Sequence, residues 1–155
     1  MQYRLSWYPI QRGLDHIRGK SEEGDNMKEI HLTIPGNVVS KKNSKIACMV
    51  GGRNCPRRPM ILPSKAYTIW EKQSRLFLWG NGQTMSPTLT CPVHIEAHFY
   101  CKGTLPDLSG AMESIADCLE GLIYENDRQI YSWDGSRVHH DKANPRTEVV
   151  IKWEE

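Results

Sequence analysis

The sequence lacks any apolar run of the roughly 18 residues that a membrane-spanning helix needs. Its N-terminal segment also lacks the unbroken apolar stretch of a secretory signal. The five cysteines include no Cys-x-x-Cys pair, and an odd number argues against a disulfide scaffold. We therefore expect a cytoplasmic protein with reduced thiols and no membrane contact. Zinc bound by Cys48 and Cys55 is an alternative, although structural zinc sites usually have shorter ligand spacings.

Acidic residues are missing from residues 41–65, KKNSKIACMVGGRNCPRRPMILPSK, although the whole chain has a net charge of only +2. The seven basic residues of this segment are Lys41, Lys42, Lys45, Arg53, Arg57, Arg58 and Lys65. Its glycines and prolines predict a loop or flexible arm rather than a helix. A basic segment without acids is typical of a phosphate-binding surface, and a solvated loop that aids solubility is the alternative.

Basic residues are nearly absent from residues 106–129, PDLSGAMESIADCLEGLIYENDRQ, where Arg128 is the only one. The six carboxylates in this segment belong to Asp107, Glu113, Asp117, Glu120, Glu125 and Asp127. Carboxylates repel a polyanion unless they hold a divalent cation. Magnesium is often bound by one or two carboxylates, with water and phosphate as further ligands. The separated charges therefore indicate a metal-dependent enzyme that acts on nucleic acid.

Hydrophobic periodicity predicts an α+β domain, with a mixed sheet of about four strands and two main helices packed against it. The predicted strands and extended segments are residues 28–34, 92–100, 128–134, 136–140 and 147–153. The predicted helices are residues 64–80, capped by Ser64, and residues 109–121, capped by Ser109. Residues 1–26 are interpreted as an N-terminal extension or poorly ordered tail, and residues 27–155 as the folded domain.

The two ends of the second predicted helix carry the candidate metal ligands. Asp107 comes just before this helix, where the helix dipole also gives an anion a purely structural reason to be present. Asp127 follows the helix and leads into a strand-like segment. We expect the two carboxylates to meet at one point and to hold a cation.

The stretch PDLSGAMESIADCLEGLIYENDRQI resembles the signature of the RusA-type Holliday junction resolvases. That signature is approximately D-L-D-N, then a helix with a Lys and an Asp, then D-D-x-Q. Asp107 matches its first Asp, Asp117 the helix Asp, and Asp127 the last Asp, two residues before Gln129. Upstream, IPGNVVSKKNSK resembles the loop after the family's first strand, so the resemblance covers roughly residues 28–152.

The resemblance implies a Mg²⁺-dependent endodeoxyribonuclease, with Mn²⁺ as an alternative metal, of a kind common in prophages. It implies cleavage of branched DNA in recombination and repair by an intertwined homodimer, and hence a nucleoid-associated location. We expect Asp107 and Asp127 to hold the metal, with Ser109 as a weak or water-mediated ligand and with Asp117 or Glu113 assisting catalysis directly or through water. From the basic segment we expect Lys41, Lys42, Lys45, Arg57 and Arg58 to bind the DNA backbone.

Four positions depart from the family pattern. Ser109 stands where the family has its second Asp, Gly110 replaces the usual Asn, Glu113 replaces a helix lysine that assists catalysis, and Asn126 replaces an Asp. One alternative is therefore a protein of the same fold that binds structured DNA but is catalytically weakened. Another is an unrelated α+β interaction protein whose charges serve solubility. Magnesium-dependent nicking and salt-dependent DNA affinity separate these readings.

Overall fold

A five-stranded mixed sheet forms the centre of the structure, a computed structural model that describes residues 26–41 and 45–154. The elements are β1 (Met27–Pro35), β2 (Lys45–Val50), β3 (Arg58–Pro63), α1 (Lys65–Gly80), β4 (Val93–Cys101), α2 (Leu108–Leu119), β5 (Ile130–Ser132), β6 (Arg137–His140) and β7 (Arg146–Glu154). A 3-10 helix, Asp127–Gln129, precedes β5. The predicted N-terminal extension lies outside the described residues, apart from Asn26.

The main sheet has the order β1-β7-β4-β5, and β6 also pairs with β4. Strand β7 is antiparallel to β1 and β4, whereas β5 and β6 are parallel to β4. The prediction of a mixed α+β sheet is confirmed, with five strands rather than about four. The extra strand arises because β5 and β6 share one edge of β4, separated by Gly135, whose φ of 89° suits a bend there.

One face of the sheet carries both helices, and the other is polar. Alternate residues of β4, namely Val93, Ile95, Ala97 and Phe99, have no exposed surface. They form the core together with buried side chains of both helices, since neighbouring residues of a strand point to opposite faces. Within the described residues, neither helix is long and apolar enough to cross a membrane.

Both helices begin at capping side chains, one of which differs from the prediction. Ser64 caps α1 as predicted, because its side chain accepts a hydrogen bond from the amide of Tyr67 at 3.1 Å. The cap of α2 is Asp107 and not Ser109, because the Asp107 carboxylate accepts from the amide of Gly110. A carboxylate in this position satisfies a free amide and faces the positive end of the helix dipole.

The C-terminal end of α2 is held by α1. Arg75 donates from Nη1 to the carbonyl oxygens of Cys118 and Glu120, both at 2.8 Å. A guanidinium suits this end because the last carbonyls of a helix lack helical partners and carry partial negative charge. The chain then turns at Gly121, which has a φ of 73° and is the last residue of the predicted helix.

The prediction of a loop or flexible arm over residues 41–65 is wrong for residues 45–50 and 58–63, which are strands. Strands β2 and β3 pair as an antiparallel ribbon and form a separate two-stranded sheet. Only residues 51–57 form the connecting loop. Hydrophobic periodicity does not predict these strands, because both faces of the ribbon are apolar and the alternation typical of a half-buried strand is missing.

Candidate metal and nucleic-acid site

Asp107 is an exposed carboxylate that its neighbours hold in one orientation. Its Oδ2 accepts hydrogen bonds from the hydroxyl of Ser109 at 2.7 Å and from the amide of Gly110 at 3.3 Å. Carboxylate and hydroxyl oxygens are the donors that magnesium and manganese prefer. The structure therefore brings together two of the three predicted metal ligands, and their chemistry fits a hard divalent cation.

Ser40, from the segment after β1, packs against this helix start. A Cβ atom added to Gly110 would lie only 2.4 Å from Ser40 Oγ and 3.6 Å from Asp107 Oδ2. The position is buried, so a side chain there would displace Ser40. The close approach gives a physical reason for a glycine where the family pattern has an asparagine.

Lys41, the residue after Ser40, contacts the middle of α2. Its amide donates to Ser114 Oγ at 3.0 Å, and its ammonium lies 2.5 Å from Asp117 Oδ2. Tyr67 also donates to this oxygen, at 3.3 Å. The hydrogen bond to Asp117 is the main cause that raises the pKa of Lys41, while burial raises the pKa of Tyr67. The counter-ion of Asp117 is therefore the ammonium of Lys41, and Lys41 is already paired in the absence of DNA.

We expect Lys41→Met to lower the free energy of unfolding by about 1 kcal/mol, because the ion pair is half-buried and includes a hydrogen bond. The folded-state pKa of Lys41 lies above its ordinary 10.5, so this stabilisation is complete below pH 10.5 and decreases as pH rises through the folded-state value. Urea unfolding at pH 8 and at pH 11 tests this expectation. Lys72→Met on α1 is the control, and an equal loss in both variants would contradict it.

Asp127 lies beyond the opposite end of α2, on the exposed 3-10 helix. Its amide lies 3.3 Å from Oε2 of Glu120, the C-terminal cap of α2. Asn126 caps the 3-10 helix, which gives this departure from the family pattern a structural role. The side-chain Nε2 of Gln129 donates to the carbonyl oxygens of Leu89 and Cys91, both at 2.9 Å, and so fixes this segment beside the start of β4.

The expectation that Asp107 and Asp127 meet at one point does not hold within one chain. Asp107 caps the N-terminus of the 12-residue α2, whereas Asp127 contacts the residue that caps its C-terminus. Such a helix is about 18 Å long, and the two carboxylates are separated by roughly this length. In the part of the chain that the structure describes, no three His, Cys, Asp or Glu side chains are grouped to hold a metal ion. The zinc alternative receives no support either.

The remaining predicted residues are solvent-exposed. Glu113 lies one helical turn before Asp117 and its charge contributes to the raised pKa of Lys41. Of the predicted DNA-binding residues, Lys45, Arg57 and Arg58 are exposed on the ribbon, whereas Lys42 lies outside the described residues.

Sequence reasoning missed two residues that shape this site, Tyr67 and Ser40. The spacing of Tyr67 in α1 is typical of the apolar face of a helix, and the residue is buried. A periodicity pattern does not indicate that its hydroxyl reaches Asp117, 50 residues away. The contact between Ser40 and Gly110 is equally non-local, although an unexpected glycine at a helix start is a signal of close packing.

The fold is therefore that of an α+β protein with an acidic helix and a basic ribbon. The family described as Endodeoxyribonuclease RusA matches residues 35–152. The chain belongs to this family, which confirms the resemblance of the acidic motif and supports nuclease activity at the level of the family. A search of curated proteins found no match.

Proposed function

We propose that this protein is a magnesium-dependent endodeoxyribonuclease that cuts branched DNA, including Holliday junctions, in recombination and repair. The observation that carries the proposal is the oriented, exposed carboxylate of Asp107 in a chain of an endodeoxyribonuclease family. Manganese is the alternative cofactor, since it accepts the same oxygen ligands.

A divalent cation at this position would supply an activated water and would stabilise charge on the phosphate and the leaving oxygen. Asp107 would hold it, and Ser109 would keep the carboxylate oriented. Lys41 contacts α2 about two to three turns beyond Asp107, where its positive charge limits the repulsion between the acidic helix and the DNA. Lys45, Arg57 and Arg58 would bind phosphates away from the reacting bond.

We further propose that the active form is a homodimer in which Asp127 of one protomer joins Asp107 of the other. The support is the separation of the two carboxylates within one chain by the length of α2. Two-fold symmetry would then create two equivalent sites, which suits the two symmetry-related strands of a junction. Asp117 would act as a positioning residue through Lys41, and Glu113 would contribute negative charge beside it.

A labelled synthetic four-way junction tests this function, in magnesium, in manganese and in excess chelator. We expect paired nicks in magnesium, loss of cutting in the chelator, and much weaker cutting of a linear duplex with the same sequence. The absence of cutting with either metal, together with tight and salt-dependent junction binding, would favour a catalytically weakened DNA-binding protein. In that case Ser109→Asp combined with Glu113→Lys should create activity, because these changes return both positions to the family pattern.

A further inference from the structure

The β2–β3 ribbon is apolar on both faces, and little of its surface is buried. Every residue of β3 is exposed, and so is every residue of β2 except the half-buried Cys48. Six large apolar side chains have 37–71% of their surface exposed: Ile46, Met49, Val50, Met60, Ile61 and Leu62. A two-stranded ribbon without further packing is at best marginally stable in water. The ribbon therefore requires a partner surface.

The paired residues 46–50 and 59–62 form the stem of the ribbon. The positions of the ribbon's cations indicate what kind of partner covers this stem. Lys45 lies at the base, whereas Arg53, Arg57 and Arg58 lie in the connecting loop or beside it. The stem between them pairs apolar residues across the strands, such as Ile46 with Leu62. Phosphate groups need cations along the contact, so an apolar protein surface fits the stem better than DNA does.

A matching apolar surface exists on α1 of the same chain. The helix exposes 45% of Ile69, 66% of Leu76, 38% of Phe77 and 69% of Trp79. Ile69 and Leu76 are seven residues apart and share one helix face, with Phe77 and Trp79 on either side of it. Since both surfaces remain exposed within one chain, the ribbon and this face do not cover each other there.

The available area is sufficient for a stable dimer. The ten exposed side chains of the ribbon and α1 present on the order of 1,000 Å² per chain, and a standard interface buries about 800 Å² on each partner. A two-fold dimer would use the contact twice, since each copy offers one ribbon and one helix face.

We propose that the stem of the ribbon docks on the exposed face of α1 of a second copy of this chain. This inference rests on the homodimer of the proposed function and identifies its contact surfaces. The base of the ribbon follows Lys41, which is bonded to Ser114 and Asp117 on α2. Docking of the stem would therefore couple the segment beside Asp107 to the partner, and it would carry the arginines of the loop across to the partner's DNA.

Sedimentation velocity of the full chain over a range of concentrations tests the contact from both sides. Ile61→Glu changes the ribbon and Trp79→Glu changes α1, and each is expected to weaken dimerisation at least about 100-fold, because a two-fold interface repeats each charge. Ala143→Glu is the control, since Ala143 is exposed between β6 and β7, belongs to neither surface and takes the same added charge. It should leave the dimer unchanged.

Circular dichroism is used to check that each variant is folded. Because the two substitutions lie on separate elements, a local folding defect in one of them would not explain the loss of the dimer in both. A monomeric wild-type protein would overturn the inference, as would a dimer that both substitutions leave intact. Either result would indicate that something else, such as residues 1–25, covers these surfaces. The hydrodynamic result does not depend on catalysis, so a dimer without nuclease activity would overturn the proposed function and not this contact.

Discussion

Replacing Asp107 by asparagine is expected to reduce the rate of junction cleavage at least about 1,000-fold, because charge stabilisation by a metal is worth several kcal/mol and each ~1.4 kcal/mol is tenfold in rate. The expected loss is specific to chemistry. Asparagine caps a helix as well as aspartate does, so α2 should begin at the same residue. Its amide removes the negative charge that a hard cation needs.

Two measurements separate this effect from a folding defect or from lost DNA binding. The urea midpoint of Asp107→Asn should stay close to the wild-type value, and its junction affinity in calcium should not decrease. Asp134→Asn, in an exposed turn between β5 and β6, is the matched control and should cut at the wild-type rate. Cleavage by Asp107→Asn within about tenfold of wild type would mean that this carboxylate is only a helix cap.

Most of the fold could be predicted from the sequence because its signals are local. The strict alternation of β4 places Val93, Ile95, Ala97 and Phe99 in the core, and the structure buries all four. The β2–β3 ribbon was missed for a physical reason, since its two apolar faces show no alternation and its prolines suggest a loop. Periodicity detects a strand when one face is apolar and the other is polar, so it does not detect a ribbon that is apolar on both faces.

The candidate site was predictable as a set of residues but not as an arrangement. The motif identified Asp107, Asp117 and Asp127 as functional candidates, and only the fold shows what each one contacts. Asp117 is bound to Lys41, a contact between residues 76 positions apart in the sequence. Asp127 lies near one end of α2 and Asp107 at the other, because the 12-residue helix separates them. Spacing along a chain does not define distance when a rigid helix lies between two residues.

The departures from the family pattern have partly structural explanations. Gly110 leaves room for Ser40, and Asn126 caps the turn that carries Asp127. Ser109 orients Asp107 through its hydroxyl. At position 113, where the family has a lysine, this chain has Glu113, but the ammonium of Lys41 lies nearby, bound to Asp117 of the same helix. These contacts are compatible with a working site.

The central claim is that each metal site combines Asp107 of one protomer with Asp127 of its partner. A heterodimer of Asp107→Asn and Asp127→Asn subunits tests it most directly. Each variant alone should be inactive, because both of its sites lack one carboxylate. The heterodimer would contain one site with both substitutions and one site with both natural carboxylates, whereas sites within single chains would all be damaged.

The measurement is the rate of single-strand nicking by this heterodimer, purified through a different tag on each subunit. The account predicts about half of the wild-type rate, since one of two equivalent sites is intact. A heterodimer of Asp107→Asn with a subunit that carries both substitutions is the control and should be inactive. If the first heterodimer nicks no faster than either variant alone, the two carboxylates do not act across the dimer, and the account is wrong.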